Sequence, residues 1–269
     1  MINQLNQESR RAYNEKIKQV FSGGVAEGWD TKGRLIKAGK DNIVYDKIKK
    51  CGHDGMSVLD IGCATGGLLL KIDQSIHNCR MTGIDISCEM IRQAQRKADF
   101  YAKEWKLINH DFLEYDFGDD RFDMIVLKFV LHHMADAEET LKKAIELLNE
   151  DGILMVYTPG GRHLQEVFGA AGDDLDILGR KDKKQLSDIL LNCGAGQETV
   201  EFEICNFQIE IDTFDKFIEF LKRIGSYQKI VQYRNMSWNA SFTNQIREKF
   251  EKAQYLTGEY ILITLYKKR

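Results

Sequence analysis

Proline is nearly absent from this sequence of 269 residues: Pro159 stands alone, and no low-complexity tract stands out. We therefore expect no flexible linker, and the length suits one large domain or one domain with a substantial insertion. The 38 Lys and Arg residues against 41 Asp and Glu residues give a net charge of −3, which excludes a generally basic nucleic-acid-binding protein. With 43% hydrophobic residues the chain can bury a sizeable core.

Long apolar runs are also missing. No segment approaches the roughly 18 residues that span a bilayer, and the polar start of the chain does not resemble a signal peptide. None of the six cysteines forms a C-x-x-C pair. We therefore expect reduced thiols, a cytoplasmic protein and no contact with membranes.

Strand and helix patterns alternate through the middle of the chain. Short apolar runs predict five strands, at about 55–62, 80–84, 105–109, 122–127 and 153–157. Ser87 and Asp136 are suited to begin two of the helices between them. Such alternation predicts a doubly wound, mostly parallel α/β sheet with right-handed crossovers.

The pattern changes on both sides of this region. Helical spacing at 8–21, a glycine-dense stretch at 22–30 and a short helix at 40–50 predict N-terminal helices with a mobile loop. After Gly160 we expect a loop with a short helix, a helix at 182–193, a strand at 199–211, two helices at 214–224 and 241–253, and a final strand at 260–266. The expected division is 1–54 for the N-terminal helices and lid, 55–211 for the Rossmann-like core, 212–256 for a helical cap insertion and 257–269 for the last core strand of a seven-stranded sheet.

The strongest functional signal is Val58-Leu-Asp-Ile-Gly-Cys-Ala-Thr-Gly-Gly67, a strand that enters a glycine-rich turn and a helix. As a dinucleotide fingerprint the match is weak. Asp60 at the strand end would repel a pyrophosphate but attract a cation. An adenosyl cofactor with an ammonium and a sulfonium meets this requirement, and Asp85 at the end of the second strand is placed to hold its ribose.

These residues resemble the first motif of class I S-adenosylmethionine-dependent methyltransferases. The second motif of that family is similar to Gly83-Ile-Asp-Ile86. Its acidic-aromatic pair near adenine is similar to Asn109-His-Asp-Phe112. Its fourth-strand segment is similar to Phe122-Asp-Met-Ile-Val-Leu-Lys-Phe-Val-Leu-His-His133. The resemblance covers about residues 55–159. It implies a Rossmann-like methyltransferase fold and S-adenosyl-L-methionine as cofactor, with S-adenosyl-L-homocysteine as product.

The resemblance also implies roles for individual residues. Asp60 would orient the ammonium of the cofactor, Asp85 would bind ribose, and the backbone carbonyl of Lys128 would bind the ammonium. Ile86 would pack on adenine or simply belong to the core, and Asp111 would accept from the adenine amine or be a solvated carboxylate. The remaining positions of the expected cofactor site are Gly62, Cys63, Ala64, Gly66 and Phe112, of which Cys63 is read as a small residue in the turn.

Two histidines follow the fourth strand, at the edge where ligands bind in open α/β sheets. Either His132 or His133 could act as a general base, and one could instead support the loop. Because neighbouring side chains point in different directions, we expect only one to face the methyl group and favour His133. No carboxylate or cysteine lies at a metal-ligand spacing from them, so we expect no metal. Tyr13 and Trp29 are candidates for a lid over the cofactor, or for an aromatic anchor of a capping helix.

The expected activity is methyl transfer to a small molecule, at a hydroxyl or carboxyl oxygen. Tyr233 and Arg234 in the insertion are the candidate acceptor-binding residues, although several aromatic residues there suit a cap core. The alternatives are a non-catalytic adenosyl-cofactor-binding protein and a nucleic-acid or protein methyltransferase. The acidic balance and the lack of an added binding domain argue against nucleic acid.

Overall fold

The structure is a computed structural model that describes residues 7–27, 29–32, 42–169, 179–196, 199–233 and 240–268. Its strands are β1 (Ser57–Ile61), β2 (Arg80–Asp85), β3 (Lys106–Asn109), β4 (Phe122–Lys128), β5 (Leu148–Pro159), β6 (Val200–Ile209) and β7 (Leu256–Tyr266). They form one sheet in the order β3-β2-β1-β4-β5-β7-β6. Only β7 runs antiparallel to its neighbours, so the predicted mostly parallel seven-stranded α/β sheet is confirmed.

The helices of the described residues are α1 (Gln7–Val20), α2 (Gly24–Glu27), α3 (Trp29–Lys32), α4 (Asn42–Cys51), α5 (Gly67–Asp73), α6 (Cys88–Phe100), α7 (Ala137–Glu146), α8 (Gln165–Phe168), α9 (Lys183–Asn192), α10 (Phe214–Arg223), α11 (Ser226–Tyr233) and α12 (Ala240–Lys252). A 3₁₀ turn, Leu131–His133, follows β4. No helix within these described ranges is both long and apolar enough to cross a bilayer.

Two apolar clusters cover the faces of the sheet. One contains Val44 and Ile48 of α4 with Leu69 and Ile72 of α5. The other contains residues of α7 and α9, including Leu141 and Leu186. Since both faces are covered, the central strands have little alternation, and all five residues of β1 are buried.

The helix starts predicted from the sequence are confirmed. The Ser87 side chain accepts a hydrogen bond from Met90 N, and the Asp136 side chain accepts one from Glu139 N. Each bond satisfies one of the amide groups that a helix leaves without an internal partner. Asp182 and Gln185 form a reciprocal capping pair at α9.

Three local predictions were wrong. The expected mobile loop at 22–30 contains the helical turns α2 and α3, because Ala26 is buried and α2 packs on α6. The fifth strand, expected at 153–157, already begins at Leu148, and its register shifts, since Phe122 pairs with Leu148 but Met124 pairs with Ile153. Helix α11 lies between the two helices expected in the insertion.

Helices α10 to α12 connect β6 to β7 and share an apolar cluster with α8. Phe217 and Phe220, two aromatic residues of the insertion, are buried in it. They therefore support the interpretation of these aromatics as cap core. Because β6 ends and β7 begins at the carboxyl edge of the parallel strands, the insertion leaves the sheet at that edge.

Candidate functional site

A cavity of about 260 Å³ lies at the carboxyl ends of β1, β2 and β4, beneath residues of α1 and α3. It is located where ligands bind in doubly wound sheets, at the point where the strand order reverses around β1. Most of the residues predicted from the sequence line it. They are Trp29, Asp60, Gly62, Cys63, Ala64, Asp85, Ile86, Asp111, Phe112, Lys128 and His133.

The turn after β1 needs its glycine for two reasons. Gly62 has φ +70°, and a Cβ atom there would lie 2.3 Å from Val130 Cγ2. The turn is fixed by two hydrogen bonds to the Ile84 carbonyl, from Gly62 N (2.8 Å) and Cys63 N (3.1 Å). Ala64 also has a positive φ, +46°. The backbone can therefore bring the β1 turn close to the end of β4 and leave room for a ligand above it.

The first two acids of the site have raised pKa values. The pKa of Asp60 is raised to about 8: burial is the largest cause, the positive charge of Lys128 lowers the pKa, and the charge of Asp85 raises it. Burial also raises the pKa of Asp85, to about 6, against the backbone hydrogen bonds from Ser87 and Ala64. Those bonds, 2.8 Å to Oδ1 and 2.9 Å to Oδ2, fix the orientation of the Asp85 carboxylate toward the cavity. Buried acids with raised pKa values in a cavity are typical of binding sites for cationic or hydroxyl groups.

The third acid, Asp111, is held by the N-terminal helix. Its Oδ2 accepts a hydrogen bond from the Asn14 amide of α1, and its Oδ1 accepts one from Leu113 N at 2.9 Å. Asn14 itself lines the cavity. The contact therefore links the roof of the cavity to the loop after β3.

Three further contacts hold the roof on the core. The Ser87 hydroxyl donates to the Phe21 carbonyl at 2.8 Å, and the Thr65 hydroxyl donates to Asp30 at 2.8 Å. Lys97 of α6 forms an ion pair with Asp30 at 2.9 Å. These contacts attach the segment from α1 to α3 to the core beside the cavity, and its role as a lid stays a prediction.

The histidine pair divides between two environments. His133 is buried, lines the cavity, and lies edge-on to the Phe21 ring with 5.0 Å between ring centroids. His132 is outside the cavity wall, with its ring centroid 3.9 Å from that of His133. Of the two candidates, only His133 is placed to meet a ligand.

Four other predicted residues are not part of the cavity wall that the structure describes. Gly66 instead permits close packing, since a Cβ atom there would lie 2.9 Å from Trp105 Cζ3. Tyr13 is half-buried in α1, and its role in a lid stays a prediction. The side chain of Tyr233 and the whole of Arg234 lie outside the described residues, so their acceptor-binding role stays a prediction.

The sequence reasoning missed several residues of the cavity wall. These are Asn14, Ile17, Phe21, Asp30, Tyr45, Thr65, Met90, His110, Phe129, Val130 and Met134, among others. Thr65 and Phe129 lie within recognised motifs and could have been included. Asn14 and Tyr45 come from helices whose docking has no signal in the local sequence. No group of three or more His, Cys, Asp or Glu side chains among the described residues is arranged to hold a metal ion.

Comparison with known proteins agrees with this geometry. A sequence profile described as a methyltransferase domain matches residues 52–189, just over half of the chain. Carboxy-S-adenosyl-L-methionine synthase of Nautilia profundicola is 26% identical over 242 residues, 86% of this chain and 92% of that protein. Malonyl-[acyl-carrier protein] O-methyltransferase of Legionella pneumophila is 22% identical over 249 residues, 91% of this chain and 84% of that protein.

A solved structure shows the same fold. Phosphoethanolamine N-methyltransferase 2 of Haemonchus contortus, in complex with phosphomonomethylethanolamine and S-adenosylhomocysteine, superposes with a TM-score of 0.62 at 17% identity. The match covers 96% of this chain and 60% of that one.

The fold is that of a Rossmann-like α/β protein, and a row of acids lines a cavity at the carboxyl edge of its sheet. The chain belongs to the methyltransferase domain family, and it is a class I methyltransferase that uses S-adenosyl-L-methionine.

Proposed function

We propose that the enzyme methylates a hydroxyl oxygen or a carboxylate oxygen of a small molecule. One observation carries the proposal. A single roofed cavity of about 260 Å³ is lined by Asp60, Asp85, Asp111 and His133. A cavity of this size beneath helices α1 to α3 suits a small ligand and gives little access to a folded macromolecule. The nucleic-acid and protein alternatives have no comparable support from the site.

The described residues fit the cofactor by the chemistry of their donor and acceptor groups. Asp60 would take the ammonium, Asp85 would accept from the ribose hydroxyls, and Asp111 would accept from the adenine amine. Bound there, S-adenosyl-L-methionine supplies a methyl group on a sulfonium, which is an electrophile with a good leaving group. Ile86 and Phe112, which line the same cavity, supply apolar surface for the adenine.

The protein's own contribution is positioning and the exclusion of water. The contacts of Phe21, Asn14 and Asp30 hold the roof on the core, and a roof held in this way would keep water from the acceptor. For a hydroxyl acceptor, His133 would take the proton; a carboxylate acceptor needs no base.

The test is an acceptor screen with two variants. The enzyme is incubated with S-adenosyl-L-methionine and sets of small hydroxy compounds and carboxylic acids, and mass spectrometry detects methylated products. For a hydroxyl acceptor, His133→Gln should lower kcat by about 10²-fold or more, and by much more than His132→Gln does. For a carboxylate acceptor the two variants should lower kcat to a similar extent. Methylation confined to added protein or nucleic acid would contradict the proposal.

A further inference from the structure

Lys128 is a basic side chain in the wall of the cavity, beside the buried acid of β1. Among the described residues that line the cavity, it is the single lysine or arginine. Lys128 ends β4 directly after Leu127, which pairs with Ile61 of β1. Its positive charge acts on Asp60 strongly enough to oppose the effect of burial on that carboxyl. The site therefore presents a cation and an acid next to each other.

Two aromatic rings hold the Lys128 ammonium. Its Nζ lies 4.9 Å from the centroid of the Phe129 ring and 5.9 Å from that of Tyr45, and both rings line the cavity. Contact with ring faces positions an ammonium without cancelling its charge. Lys71 of α5 lies over the same Tyr45 ring at 3.9 Å but is not part of the cavity wall. Tyr45 thus lies near one lysine that lines the cavity and one that does not.

We infer that the Lys128 ammonium binds a carboxylate in this cavity, next to the cationic group received by Asp60. The inference rests on the proposed function, because it takes Asp60 as the ammonium site. An α-amino acid carries its ammonium and carboxylate on one carbon atom, so an acid and a cation side by side match it. Hydrogen bonds between an ammonium and a carboxylate are charge-assisted, and they are strong where water is excluded.

Two molecules can bring that carboxylate: the amino-acid part of the cofactor, or the acceptor. Calorimetry separates them, using S-adenosyl-L-methionine and its decarboxylated analogue, which lacks only the carboxylate. If the cofactor is the source, the wild type prefers S-adenosyl-L-methionine about 10- to 100-fold. Lys128→Met removes that preference, and Lys128→Arg retains most of it. Lys71→Met, which removes a charge from the same ring outside the cavity, keeps the wild-type ratio.

If the acceptor is the source, the wild type binds both cofactor forms with similar affinity. Protein saturated with S-adenosyl-L-homocysteine is then titrated with propionate and, as a neutral control, with propionamide, and NMR shifts are recorded. Propionate should bind to the wild type and the Lys71→Met variant, and Lys128→Met should abolish the response. Propionamide should give little response in any of the proteins.

The inference is overturned if Lys128→Met leaves both the ratio of cofactor affinities and the propionate response as in the wild type. Each ratio is measured within one preparation, so partial loss of folded protein cannot change the ratio. Circular dichroism reports folding independently. Failure of the acceptor screen would count against the proposed function, whereas the affinity ratio reports on Lys128 whatever the acceptor is.

Discussion

Strands β1 and β4 are neighbours, and they place aspartates at opposite edges of the sheet. Asp60 of β1 lies near the carboxyl edge, and burial raises its pKa to about 8. Asp123 of β4 lies near the amino edge. Burial also opposes its ionisation, but hydrogen bonds from Ser57 and Asn149 outweigh burial and lower its pKa. Those bonds run from Ser57 N (2.7 Å), Ser57 Oγ (2.8 Å) and Asn149 Nδ2 (2.6 Å).

The difference separates a structural carboxylate from a binding one. Asp123 has its donors within the protein, so its charge stabilises the fold. The pKa of Asp60 is set by burial, by the charge of Lys128 and by the charge of Asp85. Among the described residues, no donor gives Asp60 a hydrogen bond of the kind that Asp123 receives. Asp60 therefore lowers the stability of the ligand-free protein, and a cationic ligand offsets that cost.

The glycines that flank β1 should show the largest contrast. Gly55 at the amino edge has φ +79° and open space around the position that a Cβ atom would take, whereas Gly62 has both a positive φ and the Val130 contact. Gly55→Ala should cost about 1–2 kcal/mol of left-handed strain. Gly62→Ala should cost about 2–5 kcal/mol, because overpacking adds to the strain. Urea unfolding measures both, and equal losses would show that Val130 moves aside freely.

Asp123→Ala should destabilise the fold by about 2–3 kcal/mol, since it leaves donors at the amino edge without their acceptor. The folded pKa of Asp123 lies below its unfolded value, so its contribution is present above the unfolded pKa and is lost as the pH falls through the folded pKa. The difference between variant and wild type should thus shrink on acidification. Thermal unfolding at several pH values tests this, and cofactor affinity, measured in parallel, should not change.

Asp60→Asn should have its main effect on binding. Affinity for S-adenosyl-L-methionine and for S-adenosyl-L-homocysteine should fall by a similar factor, about 10- to 100-fold, because both ligands carry the same ammonium. A loss confined to S-adenosyl-L-methionine would mean that Asp60 interacts with the sulfonium directly.

The raised pKa of Asp60 adds a second signature to binding. With a pKa of about 8 the empty site holds a proton at pH 7, and an arriving ammonium favours the ionised carboxylate. Binding should therefore release a proton in the wild type but not from the same position in Asp60→Asn. Calorimetry in buffers with different ionisation enthalpies counts the protons released.

The same substitution should stabilise the ligand-free protein, by at least about 1 kcal/mol at pH 8. The folded pKa of Asp60, about 8, lies above its ordinary value of 3.8, so the unfolded chain loses this proton first. The cost of the buried acid then grows as the pH rises from about 4 to 8, and it is absent below the unfolded pKa. A variant that melts below the wild type at pH 8 would contradict this expectation.

The sequence predicts the carboxyl edge of this sheet better than it predicts the roof of the cavity. The positions of Asp60 and Asp85 can be predicted because each motif coincides with the end of a strand. The ends of these strands can in turn be predicted from short apolar runs in the sequence. The close approach of Gly66 to the Trp105 ring has no signal in the motif spacing, and its role in the cofactor site stays a prediction. Asn14 reaches Asp111 across 97 positions of the chain, a contact set by the docking of α1 on the core. Local periodicity carries no information about such docking.

The position of β7 has a consequence for biosynthesis. This strand lies between β5 and β6, and it also follows α10 to α12 in the chain. During translation β6 and the cap core emerge first, with the edge of β5 and the apolar side chains of β6 still uncovered. Such intermediates expose strand edges and are prone to aggregate or to be held by chaperones. Completion of the sheet is thus a late event that depends on Leu256–Tyr266 leaving the ribosome.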